Sequence, residues 1–151
     1  VLFRSVTLEP YLDGGDILNT PESIFIGLSK RTDERAIKNL SEKIDKNIVP
    51  VPVKKGLHLK SAVSYLGNNT LLINPERIGA DEFRNFQWIE VEEKDSYVAN
   101  CLVLRNQVIM PSGFSTIREK IRQNGFETVE LEMSEFEKAD GGVTCLSLIF
   151  P

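Results

Sequence analysis

Two cysteines, one histidine and a pair of aspartates set the chemistry this 151-residue chain can attempt. Cys145 follows Asp140-Gly141-Gly142-Val143-Thr144. Two glycines ahead of a thiol permit a backbone turn that presents the sulfur to a substrate. The competing role is a small core residue on a strand, the usual fate of a free cysteine. Cys101, in Ala99-Asn100-Cys101-Leu102-Val103, is flanked by apolar strand formers and reads as packing. His58 is the sole histidine, within Gly56-Leu57-His58-Leu59-Lys60-Ser61. It is either a proton carrier near neutral pH or, set between two leucines, a satisfied half-buried side chain. Asp13-Gly14-Gly15-Asp16 places two carboxylates around a glycine pair, which suits either a cation-holding loop or a plain turn. Arg31 stands just before a helix start, where the helix field and the guanidinium together suit a carboxylate. Its alternative is a solvated surface charge. One histidine and two scattered cysteines supply too few ligands for zinc, so no metal is expected.

These residues need a scaffold. Ser23-Ile24-Phe25-Ile26-Gly27-Leu28 is β-rich and suits a buried strand. A short strand over residues 16–19 precedes it. Thr32 is expected to cap a helix with Ala36, Ile37, Leu40 and Ile44 on one face, ending at Asn47. Residues 48–53 read as a strand, confined to an edge by Pro50 and Pro52. Residues 62–66 and 70–74 flank the turn Gly67-Asn68-Asn69 as a hairpin. A short helix over 81–85 and a strand over 87–91 follow. Strands over 99–104 and 107–110 form a second hairpin about Arg105-Asn106. Ser115 is expected to cap a helix to Asn124, stopped by Gly125. A strand over 128–131 and an apolar closing strand over 146–151 end the chain. A strand–helix–strand unit thus recurs over residues 23–53, 70–91 and 107–131, at a spacing of roughly 40 residues that suits a propeller or repeat array. Three such units do not close a ring.

Composition narrows the function. Hydrophobic residues make up 41% and charged residues 26%, as in a globular domain with a real core. Eighteen Lys+Arg against twenty-two Asp+Glu give a net charge of −4, with no basic block, which argues against nucleic acid as the partner. No apolar run has the length of a membrane-spanning helix, and no targeting peptide is visible. Membrane partners are therefore not expected, and a cytoplasmic location is. Val1-Leu2-Phe3-Arg4-Ser5 leads into no patterned element and reads as a non-native leader, the translation of a sequencing-adapter end.

Four segments together resemble the dimethylarginine dimethylaminohydrolases, within the guanidino-group modifying enzymes that include arginine deiminase and glycine amidinotransferase. They are Leu12-Asp13-Gly14-Gly15-Asp16-Ile17-Leu18, Ile26-Gly27-Leu28-Ser29-Lys30-Arg31-Thr32, Leu57-His58-Leu59-Lys60-Ser61 and Asp140-Gly141-Gly142-Val143-Thr144-Cys145-Leu146-Ser147. Ser96-Tyr97-Val98-Ala99-Asn100-Cys101 and Val108-Ile109-Met110-Pro111 also look familial. Order and approximate spacing agree from about Val6 to the end.

The resemblance implies an α/β fold of the pentein type, a propeller of five ββαβ blades around a central channel. Residues 6–151 would form the C-terminal part of that single catalytic domain, an incomplete ring of about three blades. Cys145 corresponds to the family nucleophile and His58 to its acid and base. Asp13 corresponds to the acidic residue that grips the guanidinium and orients the site. Arg31 matches an arginine associated with the substrate α-carboxylate, and Asp16 belongs to the same motif, grouped with the substrate contacts. The implied reaction releases citrulline from methylated arginine with no cofactor. Deimination of arginine or amidino transfer would use the same constellation. A non-catalytic propeller module is the reading from a different class, disfavoured because such a module needs neither Cys145 nor His58. Family members also carry an upstream segment with another acidic substrate contact, so this chain by itself is expected to be a weak catalyst.

Overall fold

The computed structural model describes residues 10–149. Its first sheet is built on the apolar run predicted from sequence. Strand β1 (Ile17–Asn19) runs antiparallel to β2 (Ser23–Leu28), and β3 (Asn47–Pro52) pairs parallel on the other side of β2. A parallel partner requires a crossover, supplied by α1 (Glu34–Ser41), whose Ala36 and Ile37 are buried. The pattern repeats. Strands β4 (Val63–Gly67) and β5 (Thr70–Ile73) form a hairpin. A 3-10 segment, Ala80–Phe83, then leads to β6 (Gln87–Glu90), parallel to β5. It repeats again with β7 (Leu102–Leu104), β8 (Gln107–Pro111), α2 (Ser115–Gln123) and β9 (Glu127–Leu131). Among the described residues the chain is therefore three ββαβ units with the same strand order, an incomplete set of propeller-like blades.

Each edge and turn has its local cause. Pro50 and Pro52 lie on β3, at the edge of its sheet, where the missing N–H groups cost no ladder bonds to a further strand. Asn68 and Asn69 have φ of 48° and 56°, the paired left-handed residues that suit a tight hairpin.

Two apolar clusters join the units. Phe25, Val51, Leu59, Leu71 and Phe83 pack between the first and second sheets, with the Phe25 and Phe83 ring centroids 4.6 Å apart. Leu66, Leu72, Val108, Met110, Ile117 and Ile121 pack between the second and third. Cys101 belongs to this second cluster. It is buried and its thiol donates to the Val98 carbonyl at 3.0 Å, as expected for a packing residue.

Several elements differ from expectation. Helix α1 ends at Ser41 instead of Asn47, and Asn47 opens β3 opposite Ser23. The Ser41 hydroxyl donates to the Lys38 carbonyl, and residues 42–46 turn and bend the chain before the strand begins. Asp33, not Thr32, caps α1, accepting from the Arg35 N–H at 2.8 Å. Phe114, not Ser115, precedes α2. The strand expected over 99–104 is shorter, β7 beginning at Leu102, because Ala99 still belongs to a 3-10 segment, Glu93–Ala99. The segment expected to close the chain as a strand starts inside a 3-10 turn, Val143–Leu146, and residues 147–149 belong to no strand. The leader expected at Val1–Ser5 lies outside the described residues. No helix among the described residues is long and apolar enough to cross a membrane.

Candidate active site

Asp13 caps the 3-10 turn Gly14–Asp16, and its Oδ1 accepts the Gly15 N–H at 2.8 Å. That hydrogen bond is the main cause holding its carboxyl below the ordinary range, assisted by the charges of His58 and Arg31 and opposed by partial burial. His58 Nε2 lies 3.2 Å from Asp13 Oδ2, but the carboxylate sits off the line that a good hydrogen bond requires. The imidazole rests on Gly15. A Cβ there would come within 2.6 Å of His58 Cγ and Nδ1. Glycine at this position is thus a matter of space for the ring.

Asp16 occupies the layer beneath. It is wholly buried. Its Oδ2 accepts the Ser29 and Thr32 hydroxyls, both at 2.6 Å, and its Oδ1 accepts the Leu59 N–H at 2.8 Å. The Thr32 hydroxyl, diverted from helix capping, also accepts the Asp13 N–H at 3.2 Å. One carboxylate therefore ties the Asp13 turn, the Ser29–Thr32 loop and the residue after His58. With its oxygens so engaged, Asp16 is an internal brace. That differs from the substrate contact expected of it.

Cys145 comes from the other end of the chain, on the turn Val143–Leu146, and is exposed. It does not take the core-strand role. The glycines before it serve close approach, since Gly142 has an ordinary extended backbone at φ −90°. A Cβ on Gly142 would meet the Asn100 side chain at 2.5 Å. The Tyr97 hydroxyl donates to the Gly141 carbonyl at 2.7 Å, fixing the turn from a second side.

Cys145 and His58 line one cavity of about 460 Å³, together with Lys60, Tyr97 and Asn100. Lys60 is half-buried there. Burial pulls its ammonium down from the usual lysine range, while Cys145, Asp13 and Asp16 act in the opposite sense. Arg31 lies outside this cavity. It is 58% exposed, with Nη1 4.0 Å from Asp13 Oδ2, and faces two neighbouring hollows.

The fold thus brings Cys145 and His58 to one cavity, sets Asp13 against His58 on a neighbouring hollow that it lines with Arg31, and leaves Asp16 buried beneath. Lys60, Tyr97 and Asn100 were assigned no role from sequence. Their signal was their presence inside segments with a familial look. Among the described residues no group of three or more His, Cys, Asp or Glu side chains is placed to hold a metal ion.

Three ββαβ units carrying a cysteine and a histidine on a shared cavity define a pentein-type α/β chain. A family model described as N,N dimethylarginine dimethylhydrolase, eukaryotic, matches residues 8–149. The chain belongs to this family, the dimethylarginine dimethylaminohydrolases. It is 38% identical over 142 residues to the N(G),N(G)-dimethylarginine dimethylaminohydrolase of Pseudomonas aeruginosa, covering 92% of this chain and 56% of the relative. A solved Pseudomonas aeruginosa structure, a cysteine-to-serine mutant complexed with citrulline, superposes with a TM-score of 0.83 at 38% identity. The match covers 90% of this chain and 55% of that one. A histidine-to-glycine dimethylarginine dimethylaminohydrolase, as its adduct with S-methyl-L-thiocitrulline, matches with a TM-score of 0.86 at 37% identity, over 95% and 58% of the two chains. The chain spans about half the length of the relatives it matches.

Proposed function

We propose that the protein hydrolyses methylated arginine to citrulline and an alkylamine through a covalent bond to Cys145. The observation that carries the reading is the meeting of Cys145 and His58 on one cavity, with Asp13 against the histidine. The family membership supports it, as do the citrulline and S-methyl-L-thiocitrulline bound by the related enzymes.

A guanidinium carbon is a poor electrophile because its charge is spread over three nitrogens. A carboxylate that holds the group in plane keeps it cationic and fixes the angle of attack, and Asp13 is ionised for that task. The Cys145 thiolate attacks the central carbon. His58 gives a proton to the departing amine, leaving an S-linked thiouronium. His58 then takes a proton from water, which attacks the same carbon and releases citrulline and the thiolate. Asp13 is 3.2 Å from the ring nitrogen and stabilises the imidazolium that exists before the first transfer and forms again after the second, while the ring is neutral in between. In this reading Arg31, exposed and 4.0 Å from Asp13, meets the substrate α-carboxylate. Asp16 braces the loops that hold these groups. Protein side chains and water supply every step. Both thiols are free, which suits a reducing cytoplasm.

The test is citrulline release by the full-length protein from asymmetric dimethylarginine and from arginine, alongside Cys145→Ser. Turnover of the methylated substrate, lost in the variant, is expected. Turnover of arginine alone would replace this reading with a deiminase. No turnover of either would leave a binding role.

A further inference from the structure

The cavity is assembled from two segments far apart in sequence. His58 and Lys60 come from the loop before β4, and Cys145 from the end of the described chain. Hydrolysis by the proposed route needs the nucleophile and the proton carrier to face the same carbon, so their relative position must be fixed.

We infer that Asn100 is a positioning residue that holds the Cys145 turn in register with the His58–Lys60 loop. Its side chain makes three hydrogen bonds that span the two. Nδ2 donates to the Lys60 carbonyl at 2.9 Å and to Thr144 Oγ1 at 2.8 Å, and Oδ1 accepts the Thr144 N–H at 2.9 Å. Lys60 is two residues from His58, and Thr144 immediately precedes Cys145. Asn100 is itself 6% exposed and anchored on the core. Its N–H donates to the Tyr97 carbonyl, and the next residue, Cys101, packs in the apolar cluster between the second and third sheets.

The residue type is demanded by this arrangement. Only a carboxamide offers two donors and an acceptor from one short rigid group. An aspartate would keep the Thr144 N–H but could not donate to the Lys60 carbonyl. Gly142 completes the fit, because a side chain there would occupy the place of the Asn100 amide. Asn100 therefore acts through Cys145 and His58. It is not required to touch the substrate.

This role rests on the functional reading above. The experiment compares wild type, Asn100→Ala, Thr144→Val and the double variant, each well below its unfolding temperature. Steady-state citrulline release and amide hydrogen exchange are measured on the same preparations. Loss of alignment affects the reacting geometry more than ground-state binding, so kcat should fall between about tenfold and a hundredfold in Asn100→Ala while KM changes little. The double variant should be less impaired than the product of the two single effects, since both remove part of one bridge. Exchange should accelerate in residues 141–147 and remain slow in β8. Unchanged exchange in that turn overturns the inference. So does an unaltered kcat in Asn100→Ala where wild type turns over. A wild-type protein that releases no citrulline overturns the functional reading and the positioning role with it; unchanged exchange beside normal wild-type turnover overturns this inference alone.

Discussion

The His58 imidazole is wedged between Asp13 and Gly15. Its Nε2 is 3.2 Å from the Asp13 carboxylate, and its ring fills the space where a Cβ on Gly15 would stand. The Asp13 carboxylate is held in turn by the Gly15 N–H. Two residues of one turn, Asp13 and Gly15, thus set the orientation and the floor of the proton carrier.

Gly15→Ala should therefore displace the imidazole without removing any chemical group. The Cβ would lie 2.6 Å from ring atoms, closer than real contacts allow, so the ring must shift. A loss of kcat on the order of 10²-fold is expected for such a misplacement. His58→Ala should lose about 10²–10⁴-fold as a missing general acid and base. Equal kcat values for Gly15→Ala and wild type would show that the ring position is not critical.

The two cysteines should behave oppositely. Cys145 is exposed on the cavity, whereas burial pushes the Cys101 thiol up in pKa and keeps it protonated. Cys145→Ser should abolish turnover while the protein stays folded, because a serine hydroxyl is far less ionised than a thiol at neutral pH. Cys101→Ser should retain turnover with some loss of stability. Iodoacetamide should label Cys145 first, followed by peptide mass mapping. Preferential labelling of Cys101 would reverse the assignment.

The repeat was legible in the sequence because its parts are local. Apolar runs such as residues 23–28, the Asn68-Asn69 turn and the proline-marked edge strand each announce themselves within a few residues. Cys145, His58 and Asp13 were also readable, through motifs. Two kinds of feature were not. Thr32 was expected to cap α1, but its hydroxyl belongs to Asp16, sixteen residues away. Residues from Ala99 have strand composition, yet the chain up to Ala99 coils into a 3-10 turn, whose Tyr97, with Asn100 just after it, holds the Cys145 turn about forty residues on. Long-range hydrogen bonds override local propensity in both cases, and nothing within a short window records them.

Asp16→Asn should reveal the brace. The carboxylate accepts two hydroxyls and one N–H in a site without solvent, and charge makes those bonds stronger than neutral ones. An amide retains the shape but loses one acceptor oxygen and the charge. A stability loss of about 1–3 kcal/mol is expected from denaturant midpoints. Because Asp16 anchors the Leu59 N–H next to His58, kcat should fall as well. A variant as stable and as active as wild type would make Asp16 a bystander.

Glu93 gives the pH dependence of the same loop system. Its carboxylate accepts from Arg77 Nε at 2.9 Å and Nη2 at 3.1 Å, and from Asn74 Nδ2 at 3.1 Å, with Lys55 Nζ 3.8 Å away. The Arg77 hydrogen bonds are the main cause that lowers it from 4.5 to about 2. The Arg77 carbonyl accepts the Lys54 and Lys55 N–H groups, so this pair steadies the approach to Gly56, Leu57 and His58. A carboxyl with a depressed folded-state pKa binds its proton more weakly when folded. Its stabilising effect is therefore complete above the ordinary value of 4.5 and disappears as pH falls from there through about 2. Wild type should exceed Glu93→Gln in stability near neutral pH, and the difference should shrink across that acid window. Salt should reduce it too, since the pair is solvent-accessible. Denaturant midpoints of both proteins, taken at several pH values, measure the gap. A gap that stays constant as pH falls would mean that Glu93 contributes packing and not charge.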